Sequence, residues 1–284
     1  MLEYLEQHES EVLFGALVIA FCVIALAEQF FPRRPGNPNL GFRWANNIGL
    51  AAVTTAFNRF VYLATGLGTT HWVNEQGSGL IPWLDAPWAV SFMLLLLILA
   101  FGDYVTHRLM HVVPVLWRLH AVHHSDTEFD LTTTYRNHPF AALVLLLLRL
   151  PLIALLAAPV AMLLVYEVLR LAQDLWSHSN TRIPERVDRY LRWFLVTPDF
   201  HRVHHSSDRQ YTDSNFSSTL PWFDYLFGSY RRLPATTQRD MEIGLESFRE
   251  RRNSRLDQLL LMPLVGDFAR ERSDRRRTRA QPQS

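Results

Sequence analysis

The chain has 284 residues, of which 49% are apolar and only 19% charged, below the roughly 25% charged usual for soluble domains. That excludes intrinsic disorder, which needs low hydrophobicity and high charge. A net charge of +1 leaves no electrostatic footprint for nucleic acid. One cysteine, Cys22, rules out an intramolecular disulfide and a cysteine metal cluster.

Residues 12–27 are apolar and uncharged, and Gln29, Phe30 and Phe31 extend them toward the ~20 residues that cross a bilayer. Glu3, Glu6, Glu9 and Glu11 precede this run, where a signal peptide carries positive charge, so a retained transmembrane helix is predicted. Residues 31–41 read as a helix-breaking loop carrying Arg33 and Arg34. A second, weaker span covers 44–67 and contains Asn58 and Arg59, the arginine being read as paired or snorkelling. The third span, 86–102, is the clearest. Residues 139–172 are apolar apart from Arg149, Glu167 and Arg170, with breaks predicted at Pro151 and Pro159. This stretch is longer than one span and short for two, so a helical hairpin is expected, with side chains of 143–156 as candidates for the wall of a lipid channel. About four transmembrane or hairpin helices result. Residues 1–230 are expected to form the membrane-embedded domain, and 231–284 a polar C-terminal region with an amphipathic helix and an arginine-rich tail.

The 28 basic residues are all arginine. With the Arg33–Arg34 loop in the cytoplasm, as the positive-inside rule requires, 26 of the 28 fall on that side; Arg59 and Arg149 lie at membrane depth. The expected topology is multi-pass in the cell inner membrane, with the N-terminus outside and the C-terminus cytoplasmic.

The 12 histidines are clustered. His107 and His111 stand i, i+4 where the third span leaves the membrane, on one helical face. His120, His123 and His124 follow at i, i+3, i+4, and His201, His204 and His205 repeat that spacing. The echo extends to HAVHHSD at 120–126 and HRVHHSSD at 201–208. Asp174 and His178 form another i, i+4 pair. Ten ligands are too many for one ion, whose structural shell closes at four for zinc, so two ions with about five ligands each are expected. Asp174 reads equally as a tenth ligand or as an acceptor behind one, His138 is expected behind a ligand or near the substrate, and Asp103 either accepts from the second ring nitrogen of His107 or makes a helix-end hydrogen bond. Imidazole suits iron, copper, zinc and nickel alike. A site directly under a bilayer faces acyl chains and sterols, whose unactivated C–H bonds call for oxygen activation, which zinc has no redox chemistry to provide.

These residues resemble the fatty acid hydroxylase/sterol desaturase superfamily of membrane non-haem di-iron oxygenases, in its bacterial branch. The pattern HX3–4H, HX2HH and HX2HH matches His107–His111, His120–His124 and His201–His205. The flanking LWRLHAVHHSD, RNHP, TPDFHRVHHS and WFDYLFGSYR agree, so the resemblance runs from about residue 43 to 231. It implies an all-α integral membrane protein with a helical cytoplasmic cap holding two iron ions. It further implies O2-dependent hydroxylation or desaturation of a membrane lipid; because zinc binds imidazole more tightly than iron, zinc is an expected occupant in overexpressed protein. The family often has a second HX3H pair where this chain has Asp174 and His178. No HPGG haem motif is present, so a separate electron donor is expected (ferredoxin, cytochrome b5-like protein or reductase). Two alternatives stand beside this reading. One is a zinc-dependent membrane hydrolase, which lacks an HExxH and a glutamate base beside any histidine pair. The other is a non-enzymatic metal- or haem-binding protein, though haem needs only one or two histidines per iron.

Overall fold

The computed structural model describes residues 7–36, 39–76, 78–265 and 268, with side chains left out at 9 and 60–76. Glu3, Glu6, the side chain of Glu9 and the arginine-rich tail beyond 268 therefore lie outside the described residues. The described residues are helical and contain no β-strand, only the isolated bridges Pro32–Thr181 and Ser206–Ile243.

Among the described residues three helices are long and apolar enough to cross a membrane: α1 (Glu9–Phe30) over Ser10–Phe30, then the helices Trp88–Val112 and Pro139–Leu156. The protein is an all-α membrane protein. Between the first two, α2 (Leu40–Gln76) runs for 37 residues. The second span expected over 44–67 is thus a longer helix that falls short of those three in apolarity, and 67–76, read as connection, is helical. Gly66 and Gly68 do not stop it, since an interior glycine costs only about 0.5–1 kcal/mol. A one-turn helix, Leu80–Leu84, then leads to α3 (Trp88–Val112). Pro114, at the tolerated first position, starts α4 (Pro114–His124).

The expected hairpin is present as α5 (Pro139–Leu156) and α6 (Val160–Ser177). Its turn is Ala157, in the left-handed region at φ 46°, followed by Ala158 and Pro159. Pro151 does not break the helix: it sits inside α5, which runs on for another turn. Gly102 of α3 packs against Leu152 of α5 so closely that a β-carbon would stand 2.3 Å from Leu152 Cδ1. Arg149 pairs with Glu167 across the hairpin at 2.7 Å, while Arg59 is exposed.

Beyond the spans, short helices build a cap. Among them are α7 (Pro198–His204), with Thr197 as N-cap, and α8 (Leu256–Val265). α8 packs on α2 and α4 and shares a core of Leu50, Trp117, Val122, Leu259 and Met262. Gly244, at φ 99°, donates its N–H to His205 O (3.0 Å), and a β-carbon there would lie 2.7 Å from Asp126 O. Gly244 thus packs the described part of the C-terminal region directly against the chain that follows the histidines of α4 and α7.

Candidate metal centre

Buried ion pairs fasten the membrane helices to the cap. Arg43 of α2 grips Asp126 through Nε (2.8 Å) and Nη2 (2.7 Å), and reaches Asp130 through Nη1 (2.7 Å). Asp126 also accepts from Asn47 Nδ2 at 3.1 Å. Burial would raise the Asp126 carboxyl, but the guanidinium groups of Arg43 and Arg136 hold it well below the carboxylate range. Arg136, fully buried, donates to Val122 O, Asn47 Oδ1 and Ser125 Oγ. On the other side Arg33 pairs with Asp199, which also holds Arg202. Arg34 donates to the carbonyls of Gln238 and Met241. The arginine pair that marks the topology in the sequence therefore locks the end of α1 to the cap.

Nine histidines converge between these clamps, in two adjoining groups whose donor atoms lie within 4.8 Å of one another. His107, His111, His120, His124 and His204 form the first group; His123, His178, His201 and His205 form the second. The HX2HH motifs are therefore split. In α4 the first and last histidines join the five-membered group and His123 joins the other; in α7 the assignment is reversed. The echo ends at its aspartates, since Asp208 caps a short helix through Gln210 N while Asp126 is clamped by Arg43.

The remaining sequence candidates lie apart from both groups. The Asp174 carboxylate pairs with Arg170 (2.7 Å), and its carbonyl accepts from His178 Nδ1 (2.8 Å). Asp103 accepts from the Tyr166 hydroxyl at 3.2 Å. His138 caps α5, accepting from Phe140 N, and its Nε2 faces Leu260 O at 3.2 Å.

Hydrogen bonding fixes the imidazole tautomers. His107 Nδ1 meets Phe216 O at 2.6 Å and His204 Nδ1 meets Ser214 O at 2.7 Å. A carbonyl only accepts, so both Nδ1 atoms carry the proton and both Nε2 atoms carry a lone pair. Those two Nε2 atoms nonetheless stand 3.1 Å apart. His178, fixed the same way by Asp174 O, points its Nε2 at His201 Nε2 (3.0 Å) and His123 Nε2 (3.2 Å). His107 Nε2 and His204 Nε2 are two acceptors in contact, which do not hydrogen-bond; a shared cation between them removes the conflict. Nitrogens about 2.1 Å from one ion and at right angles would stand about 3.0 Å apart, which matches the observed spacing.

Protonation does not relieve the conflict. Burial holds His120, His123, His124, His201, His204 and His205 well below the ordinary imidazole value, and their mutual repulsion adds to it. Burial brings His178 to about 4 despite its bond to Asp174 O. Neutral imidazole is the form that ligates metals. Nδ1 of His120, His123 and His201, and both nitrogens of His205, are buried and have no hydrogen-bond partner among the described residues. The donor set therefore fits two cations in a nitrogen-rich shell.

Residues 92–229, which hold all nine histidines, match the model of the family described as fatty acid hydroxylase. Alkylglycerol monooxygenase of Xenopus tropicalis is 32% identical over 153 residues, covering 53% of this chain and 32% of the relative. Ornithine lipid hydroxylase OlsE of Rhizobium tropici is 32% identical over 162 residues, 57% of this chain and 48% of the relative. Methylsterol monooxygenase 2-2 of Arabidopsis thaliana is 33% identical over 138 residues, 47% of this chain and 50% of the relative. The chain thus spans between a third and a half of the length of these relatives. No solved structure matches it.

Proposed function

The chain belongs to the fatty acid hydroxylase/sterol desaturase superfamily, and from that premise we propose that it oxidises a membrane lipid with O2 at two iron ions held by the nine clustered histidines. The observation that carries this reading is the pair of lone-pair nitrogens, His107 Nε2 and His204 Nε2, in contact where a membrane-crossing helix enters the cap. Metal affinity alone favours zinc over iron at imidazole sites; the choice of iron rests on the reaction. When bound, a redox metal pair supplies the activation of O2. Hydroxylation consumes one C–H bond, O2, two electrons and two protons, and yields an alcohol and water. The electrons come from a separate donor of the ferredoxin, cytochrome b5-like or reductase class.

The protein's own groups orient the donors and keep the site dry. The carbonyls of Phe216, Ser214 and Asp174 fix three rings with Nε2 turned inward. Phe216 packs edge-on against His107, His111 and His204, and Phe129 covers His178 and His205. The relatives are named for alkylglycerol, ornithine lipid and methylsterol, so an amphiphile with a polar head is the substrate class proposed here. The cap and C-terminus face the cytoplasm of the inner membrane and the N-terminus faces outward, as the arginine asymmetry supports. The test compares lipid extracts of cells expressing the wild type and the His204→Ala variant. A lipid heavier by one oxygen, or lighter by two hydrogens, only with the wild type is expected; identical lipid profiles would overturn the reading.

A further inference from the structure

Two cavities lie end to end between α1 and α2. The inner one, about 590 Å³, is lined by Leu17, Phe21 and Cys22 of α1, Ile48 and Ala52 of α2, and Tyr135. The outer one, about 240 Å³, is polar, with Glu28, Arg34, Glu128, Asp130 and Asn180 among its lining residues. Both fall near the roughly 300–1,000 Å³ of small-molecule sites.

The two are halves of one groove. On α1 the lining positions 17, 18, 21, 22, 25, 28 and 29 form a single helical stripe. On α2 positions 40, 43, 44, 48, 51, 52 and 55 do the same. Trp44, which packs edge-on against Phe21 at 6.0 Å, stands where the halves meet. On α1 the whole groove, from residue 17 to 28, rises about 16 Å and its apolar part, from 17 to 22, about 7.5 Å, so the apolar part fits within the roughly 15 Å of one half of a hydrocarbon core about 30 Å thick. The apolar half therefore runs through one leaflet, on the cap side.

The polar half ends at Phe129, which is 2% exposed. The ring also packs on His205 (5.0 Å), His178 (5.9 Å) and His201 (6.4 Å), with the Arg202 guanidinium 5.1 Å from its centroid. A single aromatic side chain thus separates the polar pocket from the four-histidine group.

We infer that the α1–α2 groove binds one membrane amphiphile from the cap-side leaflet, its chain along Phe21, Ile48 and Ala52 and its head in the Glu28–Asn180 pocket, with Phe129 as the gate to the four-histidine group. The pocket lining holds Glu28, Glu128 and Asp130 against Arg34 and Arg43, and both arginines are committed elsewhere or to that lining, Arg43 to Asp126 and Asp130 and Arg34 to the carbonyls of Gln238 and Met241. The head is therefore one that donates hydrogen bonds, such as a hydroxyl, amide or ammonium group, rather than a bare phosphate or carboxylate. Binding stands on the groove alone. The position of oxidation rests on the oxygenase reading: the reacting carbon lies close to the head, because that end of the groove adjoins the metals. This places the route between α1 and α2 instead of along 143–156.

The test uses the full chain in nanodiscs with a photoactivatable monoacylglycerol carrying its diazirine at mid-chain or beside the glycerol, and maps crosslinked peptides by mass spectrometry. Crosslinks to residues 17–22 and 48–55 from the mid-chain probe, and to 128–130 from the head-proximal probe, are expected. Ala52→Trp, which fills the groove, should reduce them at least tenfold with metal content unchanged. Even labelling of all lipid-facing helices, or equal labelling by the phosphate-headed analogue, would overturn the groove or its head-group preference respectively. Crosslinking needs no turnover, so groove labelling without any oxidised product supports the groove while contradicting the oxygenase reading. A product oxidised at mid-chain would refute the head-end assignment, and Phe129→Ala should loosen positional selectivity.

Discussion

Replacing Asp126 by asparagine keeps the shape of the side chain and removes only its charge. Asp126 is fully buried, two residues after His124, and holds Arg43, itself only 3% exposed, through two bonds of 2.7 and 2.8 Å. The substitution leaves Arg43 with Asp130 alone and takes away the carboxylate that offsets the buried charge of Arg136. Breaking a buried ion pair on one side costs about 3–5 kcal/mol. At roughly 2–4 °C per kcal/mol for a domain of this size, the melting temperature should fall by about 6–20 °C. Thermal melts in detergent, followed by tryptophan fluorescence, measure this, with metal content read on the same samples. Because Arg43 and Asp126 act as a pair, the double variant Arg43→Met with Asp126→Leu should lose less than the sum of the two single losses, although Asp130 and Arg136 each lose a partner in it. A fall of less than about 2 °C for the single variant would refute the clamp. So would a double variant whose loss equals the sum of the Arg43→Met and Asp126→Leu losses.

His204→Ala and His201→Ala remove a donor from different groups, so each should lower the metal content from about two per chain toward one, measured by elemental analysis; equal retention of both ions in either variant contradicts the partition. Stability should depend on pH in a defined window. The folded-state value of His178 is lowered from 6.5 to about 4, so the unfolded chain binds more protons below pH 6.5, and stability is full above that pH and is lost as pH falls toward 4. Metal release measured with a chelator should follow the same window, because protons compete for the nitrogens; release that is flat between pH 7 and 4 would contradict it. Gly244→Val places a β-carbon against Asp126 O at a φ of 99°, which should cost about 1–3 kcal/mol in backbone strain alone and lower the melting temperature, whereas an unchanged melt would show that residues 231–265 do not brace the site.

The histidine clusters were legible because their spacing is local: i, i+3 and i+4 positions share a helical face whatever the fold. Their division into five and four was not, because it depends on how α4 and α7 face each other across the cap. Asp174 shows the limit of spacing arguments. It stands one turn before His178 and matches a ligand pair, yet its carboxylate turns to Arg170 and its carbonyl serves His178. Arg43, Asp126 and Arg136 went unrecognised because a charged residue near a membrane end reads as solvated or topological, and only tertiary pairing reveals a clamp. Pro151 was read as a break, but a proline removes one hydrogen bond without preventing a helix packed on both sides from continuing. The site contribution of Gly244 had no sequence signal beyond the glycine itself.

On this proposal nine clustered histidines, eight of them buried and His107 half-buried, hold two redox ions that oxidise a membrane lipid. It is tested most directly by loading the purified full-length chain with Fe(II), supplying a chemical reductant and isotopically labelled O2 in nanodiscs of native lipid, and examining the lipids by mass spectrometry. The expected result is a hydroxylated lipid carrying one labelled oxygen, with about two iron ions per chain, and neither product nor full metal content in His204→Ala. For a desaturated product, the label would appear in water instead. Lipid turnover by the zinc-loaded protein without O2 would contradict the account and restore the hydrolase.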